Sequence, residues 1–253
     1  MAAHVIVDSV APAGGLELGP EDSHHLASVL RLRPGEPVGA TDGRGGYVPC
    51  RYAGPGRLEP AGPAEAEPAR TPVLTVGFAP VKGDRPEWAV QKLTEIGVDR
   101  IVLLDTDRGV VRWEGARAAS HLARLEKVAR AAVRQSRQLW MPVVEGPTAV
   151  RALLAGAACG PDAGVALAQM GGPPPGPGLH TILVGPEGGW SPGELEGPAP
   201  AVGLGPSVLR AETAAVAAGV LLGALRAGLV RPSSGPGPAP GAPPDSGDAD
   251  PTR

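Results

Sequence analysis

Residues 182–192 read Ile182-Leu183-Val184-Gly185-Pro186-Glu187-Gly188-Gly189-Trp190-Ser191-Pro192. The apolar start fits a buried strand. The glycines that follow fit a bend whose backbone N–H and C=O groups can approach a ligand closely. Ser191-Pro192-Gly193-Glu194 has the pattern of a capping box, with Ser as N-cap, Pro at the first helical position and Glu reaching back. Strand, bend and helix start together predict the carboxyl end of a strand in a parallel α/β sheet, where such sheets bind ligands. A tight turn without a ligand is the plainer reading of a lone Gly-Gly. The whole Val-Gly-Pro-Glu-Gly-Gly run after an apolar strand favours a site.

A second bend lies in Val202-Gly203-Leu204-Gly205-Pro206-Ser207-Val208-Leu209-Arg210-Ala211-Glu212-Thr213-Ala214. The helix that follows is apolar nearly all round over Ala214–Leu225, which predicts burial in the core or in an oligomer interface. Arg210 and Glu212 are the polar residues at its mouth. Three roles stay open for them: a structural ion pair, charges placed at a helix terminus, or contacts to a ligand or neighbouring subunit.

Working outward, residues 73–230 alternate strand and helix. Strands are expected at Val73–Ala79, Ile101–Leu104, from Val143, and at Val165–Leu167, Thr181–Val184 and Ala201–Leu204. Helices are expected at Pro86–Ile96 (stopped by Gly97), Glu114–Ser136, Pro147–Leu154 and Ala211–Leu225. That alternation argues for a parallel sheet with helices on both faces. Residues 1–72 differ. Short strand candidates at His4–Val7, Pro37–Ala40 and Tyr47–Tyr52 flank one helical piece, in which Leu26, Val29 and Leu30 share a side, so a small β-rich module is expected. Residues 53–72 are turn-rich and fit either a strand or a connecting loop. Residues 232–253 (PSSGPGPAPGAPPDSGDADPTR) read as a disordered tail.

Composition sets bounds. The 253 residues carry a net charge of −3, with 42% hydrophobic residues, enough to bury a proper core. Two cysteines 109 positions apart (159 − 50) exclude a disulfide framework and a Cys-based metal site. No run approaches a membrane span, and Met1–Val10 lacks the pattern of a secretion signal, so a cytoplasmic address is expected. No phosphate-cradling P-loop and no dinucleotide fingerprint occurs. Charge is uneven: residues 108–137 hold 8 basic and 2 acidic side chains, whereas residues 1–72 hold 6 and 9. Such a basic stripe suits phosphates, although on charge alone a solvated helix face is the better reading. Lys82, Arg85 and Lys92 surround the start of the helix at Pro86, a natural phosphate position.

In order and spacing, four motifs resemble one family: Lys82-Gly83-Asp84-Arg85 with Glu87-Trp88 and Gln91-Lys92, a basic helix ending in Gln135-Ser136, the Val184–Gly189 bend, and Leu209-Arg210 with Glu212-Thr213-Ala214. The chain resembles the bacterial 16S ribosomal RNA (uracil-N3)-methyltransferases of the knotted SPOUT superfamily over about residues 1–230. His24–Glu36 is similar to that family's N-terminal RNA-binding module. The start of the chain and Arg137 depart from its pattern.

The resemblance implies a C-terminal α/β trefoil-knot domain (73–231), a small PUA-like β-barrel (1–72), and a homodimer without metal or membrane. It implies S-adenosylmethionine as cofactor, bent against Leu183, Gly185, Gly188, Gly189, Leu204, Gly205 and Leu209 and held largely by backbone groups, with Glu187 shaping the bend. It implies 16S ribosomal RNA or the small ribosomal subunit as partner. Arg31, Arg33, Lys82, Arg85, Arg134 and Arg137 are the expected RNA grips. Arg210 is the candidate to stabilise charge on the base. Glu212 is the one nearby carboxylate able to take a proton, and is favoured as a structural partner instead. Two rivals remain at this point: an RNA-binding protein without catalysis, and a small-molecule α/β enzyme with an incidental β module.

Overall fold

The computed structural model describes residues 3–10, 15–155, 164–197 and 199–230; the expected tail lies outside them. Strands apolar at successive positions must be covered on both faces, and two buried clusters do this for the second module. Six parallel strands form its sheet: β7 (Thr75–Phe78), β8 (Arg100–Asp105), β9 (Val143–Ala149), β10 (Val165–Ala168), β11 (Thr181–Val184) and β12 (Ala201–Val202). Their order is β12-β10-β11-β7-β8-β9. Ile101, Leu103, Ile182 and Val184 face one cluster, with residues of helices α2 (Arg85–Ile96), α3 (Gly115–Ser136) and α6 (Ala211–Arg226). Val102, Leu104 and Leu183 face the other, with Val150 and Leu154 of α4 (Val150–Ala155) and Trp190. The period-2 alternation of strands thus sorts the side chains between two helical layers.

The first module is a curled sheet of β1 (Ala3–Ile6), β2 (Leu16–Glu17), β3 (Pro37–Thr41), β4 (Gly46–Gly54) and β5 (Arg57–Pro60) in the order β1-β3-β4-β5-β2, with β6 (Glu65–Ala66) paired to β4. Its own core includes Val5, Leu26, Val38, Ala40 and Leu58. Residues 53–72 therefore hold two strands as well as a connection. The helical piece starts earlier than expected, as α1 (Pro20–His24), and continues as one π-helical turn over His25–Val29. Leu26 is fully buried, but Val29 and Leu30 are exposed.

Two expectations near the sheet edges are corrected. The helix expected at Pro147–Leu154 begins only at Val150, because β9 runs on to Ala149. Its register on β8 shifts between Val102 and Leu104. Gly146 and Pro147 sit at that irregularity of an edge strand, where a missing N–H is tolerated. The strand expected at Ala201–Leu204 is only two residues long, because Gly203 leaves the ladder to meet another loop. The stop at Gly97 holds as read: it caps α2 with φ 88°, a conformation suited to glycine.

The modules are tied together. The segment after α3 adds to the turn between β3 and β4: Gly45 N–H donates to the Leu139 carbonyl at 2.9 Å, and Met141 N–H to the Gly43 carbonyl at 2.9 Å. Asp22, almost wholly buried, accepts from Arg134 Nη1 at 2.5 Å, with Arg130 Nη2 at 3.7 Å from its other oxygen. Arg130 also donates to the Ile6 carbonyl at 3.1 Å.

Candidate functional site

β11 and β12 flank β10, so the bends that follow them meet at one rim of the sheet. Between them lies a cavity of about 510 Å³, lined by Gly185, Glu187 and Gly189 of the first bend and Leu204, Gly205 and Leu209 of the second. That volume is in the range of small-molecule sites. Gly185 is pressed on Trp190: a Cβ there would stand 3.1 Å from the indole, whose N–H donates to the Ala168 carbonyl at 3.0 Å. Gly189 (φ 69°) and Gly205 (φ 142°) adopt backbone conformations that side chains resist, and both face open space. The cavity wall is thus largely backbone and apolar surface with few side-chain polar groups.

The cavity lining omits two residues of the expected set. Leu183 does not line the cavity: it is fully buried, pointing to the opposite face of the sheet from Val184, which does line it. Gly188 does not line it either. Its carbonyl accepts from Arg108 Nη1 at 3.1 Å, on the side away from the cavity. The structure adds Ala168, Gln169 and Met170 from the end of β10, and Ser207 and Val208 from the second bend. A larger hollow of about 690 Å³ lies against the module junction. Its Arg70 is engaged by Glu67 and Gln138, and its Arg226 by Asp99, so these groups offer no free charge to a ligand.

The capping box is complete: Ser191 Oγ accepts from Glu194 N–H at 3.2 Å, and Glu194 Oε2 from Ser191 N–H at 2.7 Å, opening α5 (Pro192–Leu195). Arg210 is the N-cap of α6 and exposed, between the cavity residues Leu209 and Ala211. Among the described residues its guanidinium has no ion-pair partner. Glu212, buried in the first turn of α6, stands 3.6 Å from Arg85. Its Oε2 has no hydrogen-bond partner among the described residues. Glu212 thus pairs with Arg85 and also places a negative charge in the first turn of α6.

The expected RNA grips divide. Arg31, Arg33 and Lys82 are exposed. Arg85 remains partly open beside Glu212, with 40% of its side chain accessible. Arg134 is spent on Asp22, so the free guanidinium expected there is instead a strut between modules. Arg137 is exposed and caps α3 with φ 57°; Arg31 has φ 53°. These two are the described non-glycine residues with positive φ, a placement that costs free energy and aims their side chains.

Comparison with known proteins fits this geometry. The model of the RNA methyltransferase domain matches residues 68–223, and that of the RNA methyltransferase PUA domain matches residues 18–59. The chain belongs to the RNA methyltransferase domain family. Ribosomal RNA small subunit methyltransferase E of Mycobacterium bovis is 35% identical over 145 residues, covering 55% of each chain. Its Bacillus subtilis counterpart is 27% identical over 131 residues, covering 49% of this chain and 50% of that one. The chain thus spans about half the length of these relatives. Among solved structures, a probable rRNA-methyltransferase from Porphyromonas gingivalis superposes with TM-score 0.73 at 27% identity, covering 90% of this chain and all of that one. A ribosomal RNA small subunit methyltransferase E from Neisseria gonorrhoeae, bound to S-adenosyl methionine, gives 0.74 at 25% identity, over 89% and 98%.

Proposed function

We propose that the chain is an S-adenosylmethionine-dependent methyltransferase acting on N3 of a uridine in 16S ribosomal RNA, in the cytoplasm and as a homodimer. The cavity where the two glycine bends meet carries this reading. Its backbone-rich wall suits a nucleoside, and the Glu187 carboxylate at its edge suits a cationic one. A trefoil knot fits the close passage of the loop after β10 against the loop after β12: Gly203 N–H donates to the Pro173 carbonyl at 2.8 Å. A dimer fits the exposed apolar residues Val208 and Val220. Residues 1–72 serve as the RNA-binding module and residues 73–231 as the catalytic one.

The bound sulfonium supplies an activated methyl group. The chain's share is to align the acceptor and favour loss of its proton; alignment of two bound reactants can be worth roughly 7–11 kcal/mol. N3 is hidden in a base pair, so the base must be unpaired or turned out. Arg210, unpaired at the cavity's edge, stabilises the negative charge left when N3 loses its proton. Glu212 holds Arg85 for an RNA phosphate, and solvent takes the proton. Arg31, Arg33, Lys82 and Arg137 complete the grip.

Calorimetry with S-adenosylmethionine, then nucleoside mass spectrometry of 16S ribosomal RNA treated with the protein, tests the reading. Binding, and 3-methyluridine that disappears with Arg210→Ala, is expected. Failure to bind at millimolar ligand would refute it and leave an RNA-binding protein on an inert scaffold.

A further inference from the structure

We infer that Asp107 is a positioning residue for the glycine bend, acting from outside the cavity; the inference rests on the reading of that cavity as the seat of the methyl donor. Asp107 lies just beyond β8, two strands away from β11, and does not line the cavity. It closes a ring of hydrogen bonds with the capping box. Ser191 Oγ–H donates to Asp107 Oδ2 at 2.5 Å, while Ser191 Oγ accepts from Glu194 N–H. Glu194 Oε2 accepts from Ser191 N–H, and its Oε1 accepts from Asp107 N–H at 3.1 Å. Glu194 is only 2% exposed, whereas Asp107 is partly open and its Oδ2 also stands 3.8 Å from Arg151 Nη2.

A capping box alone would open a helix. Here it is anchored to a different strand, and the next residue extends the anchor: Arg108 Nη1 donates to the Gly188 carbonyl. The bend is therefore held at Gly188 and at Ser191, on either side of Gly189 and Trp190, which line the cavity. Glycines give the bend its shape but leave it free to take others. An external brace removes those alternatives before the ligand arrives, so that binding need not supply the ordering. This assigns Gly188 a purpose that ligand contact does not: its carbonyl is the grip for Arg108.

The test is calorimetry of S-adenosylmethionine on the full chain, with steady-state kinetics. Asp107→Ala should raise Kd about tenfold, ~1.4 kcal/mol. Asp107→Asn, whose amide oxygen still accepts from Ser191, should recover most of that. Arg108→Ala should raise Kd about threefold. KM for the methyl donor should rise with Kd, while KM for RNA and kcat stay within about twofold; a general loss of fold would move all three. Wild-type binding with an unchanged Kd in Asp107→Ala overturns the inference alone. Should that variant fail to fold, an unchanged Kd in Arg108→Ala overturns it equally. Absence of binding by the wild-type chain overturns the reading of the cavity together with the inference.

Discussion

Gly203→Ala tests how tightly the two loops at the cavity pass each other. A Cβ on Gly203 would stand 2.4 Å from the Gly172 carbonyl oxygen. Ordinary contact begins near 3.4 Å, so the two backbones must part by about 1 Å. Neither side is a flexible side chain that could swing away. The displacement also lengthens the 2.8 Å bond from Gly203 N–H to the Pro173 carbonyl. Overpacking costs about 2 kcal/mol, and loss of the bond adds about 1 kcal/mol. For a chain of this size that lowers Tm by about 6–12 °C. Leu204 and Gly205 follow directly and line the cavity, so affinity for S-adenosylmethionine should fall at least about tenfold, ~1.4 kcal/mol. Gly178→Ala is the control: it lies in the connection that carries Gly172, and nothing lies within 4 Å of its Cβ position. Differential scanning calorimetry and ligand titration read both effects. A Gly203→Ala variant within about 2 °C and twofold of the wild type would refute the tight crossing.

Arg134→Met leaves the buried Asp22 carboxylate with only the more distant Arg130, and should cost about 3 kcal/mol in a denaturant titration. Burial, the largest cause, lowers the pKa of His4 from 6.5, with Arg137 acting in the same direction against a hydrogen bond that His4 donates to the Gln138 backbone carbonyl. Its contribution to stability is therefore full above pH 6.5 and lost as pH falls towards the folded value; His4→Gln should flatten the acid limb of a plot of Tm against pH. Burial pushes the Cys50 thiol up to about 11 from 9.0. In a Cys159→Ser background the native protein should resist alkylation at about pH 8 and react once unfolded. Stability from Cys50 is present below pH 9.0 and lost as pH rises through about 11. Arg33→Ala should weaken RNA binding across sequences and lower the slope of log K against log salt by about 1, measured by fluorescence anisotropy.

What the sequence disclosed was local. Thr181–Val184 is a strand to the residue, Ser191 and Glu194 cap α5 reciprocally, and Gly97 ends α2, because each depends on neighbours within a few positions. Leu183 and Val184 follow the same kind of reasoning: in a strand, alternate residues face opposite ways, so the Leu183 side chain joins the core while Val184 lines the cavity. Gln169 and Met170 carry no such signal. They reach the cavity because β10 lies between β11 and β12, an order that no short window contains. Arg134 looked free for the same reason. Its partner Asp22 is 112 positions away, and nothing near Asp22 marks it for burial.

That distant pair changes what the basic helix is for. Read as a stripe, residues 108–137 offered a continuous surface for phosphates. In the fold its far end divides between two tasks. Arg117 and Lys127 stay exposed, whereas Arg130 and Arg134 turn inward to Asp22. The inward pair joins the backbone bonds from Gly45 to Leu139 and from Met141 to Gly43, so the modules are joined by bonds of more than one kind. Arg31 and Arg33 stand on one module, Lys82 and Arg210 on the other. A flexible joint would let each set bind phosphates while leaving the acceptor base unplaced. A braced joint fixes the distance between them, and alignment is the chief contribution the proposed reaction asks of the protein. On the proposed function, two arginines turned away from the surface would serve RNA by holding the others in register. It follows that Arg134→Met should reduce methylation more than it reduces RNA affinity, a ratio that anisotropy and turnover measured on one preparation give directly; equal losses in both would count against the brace.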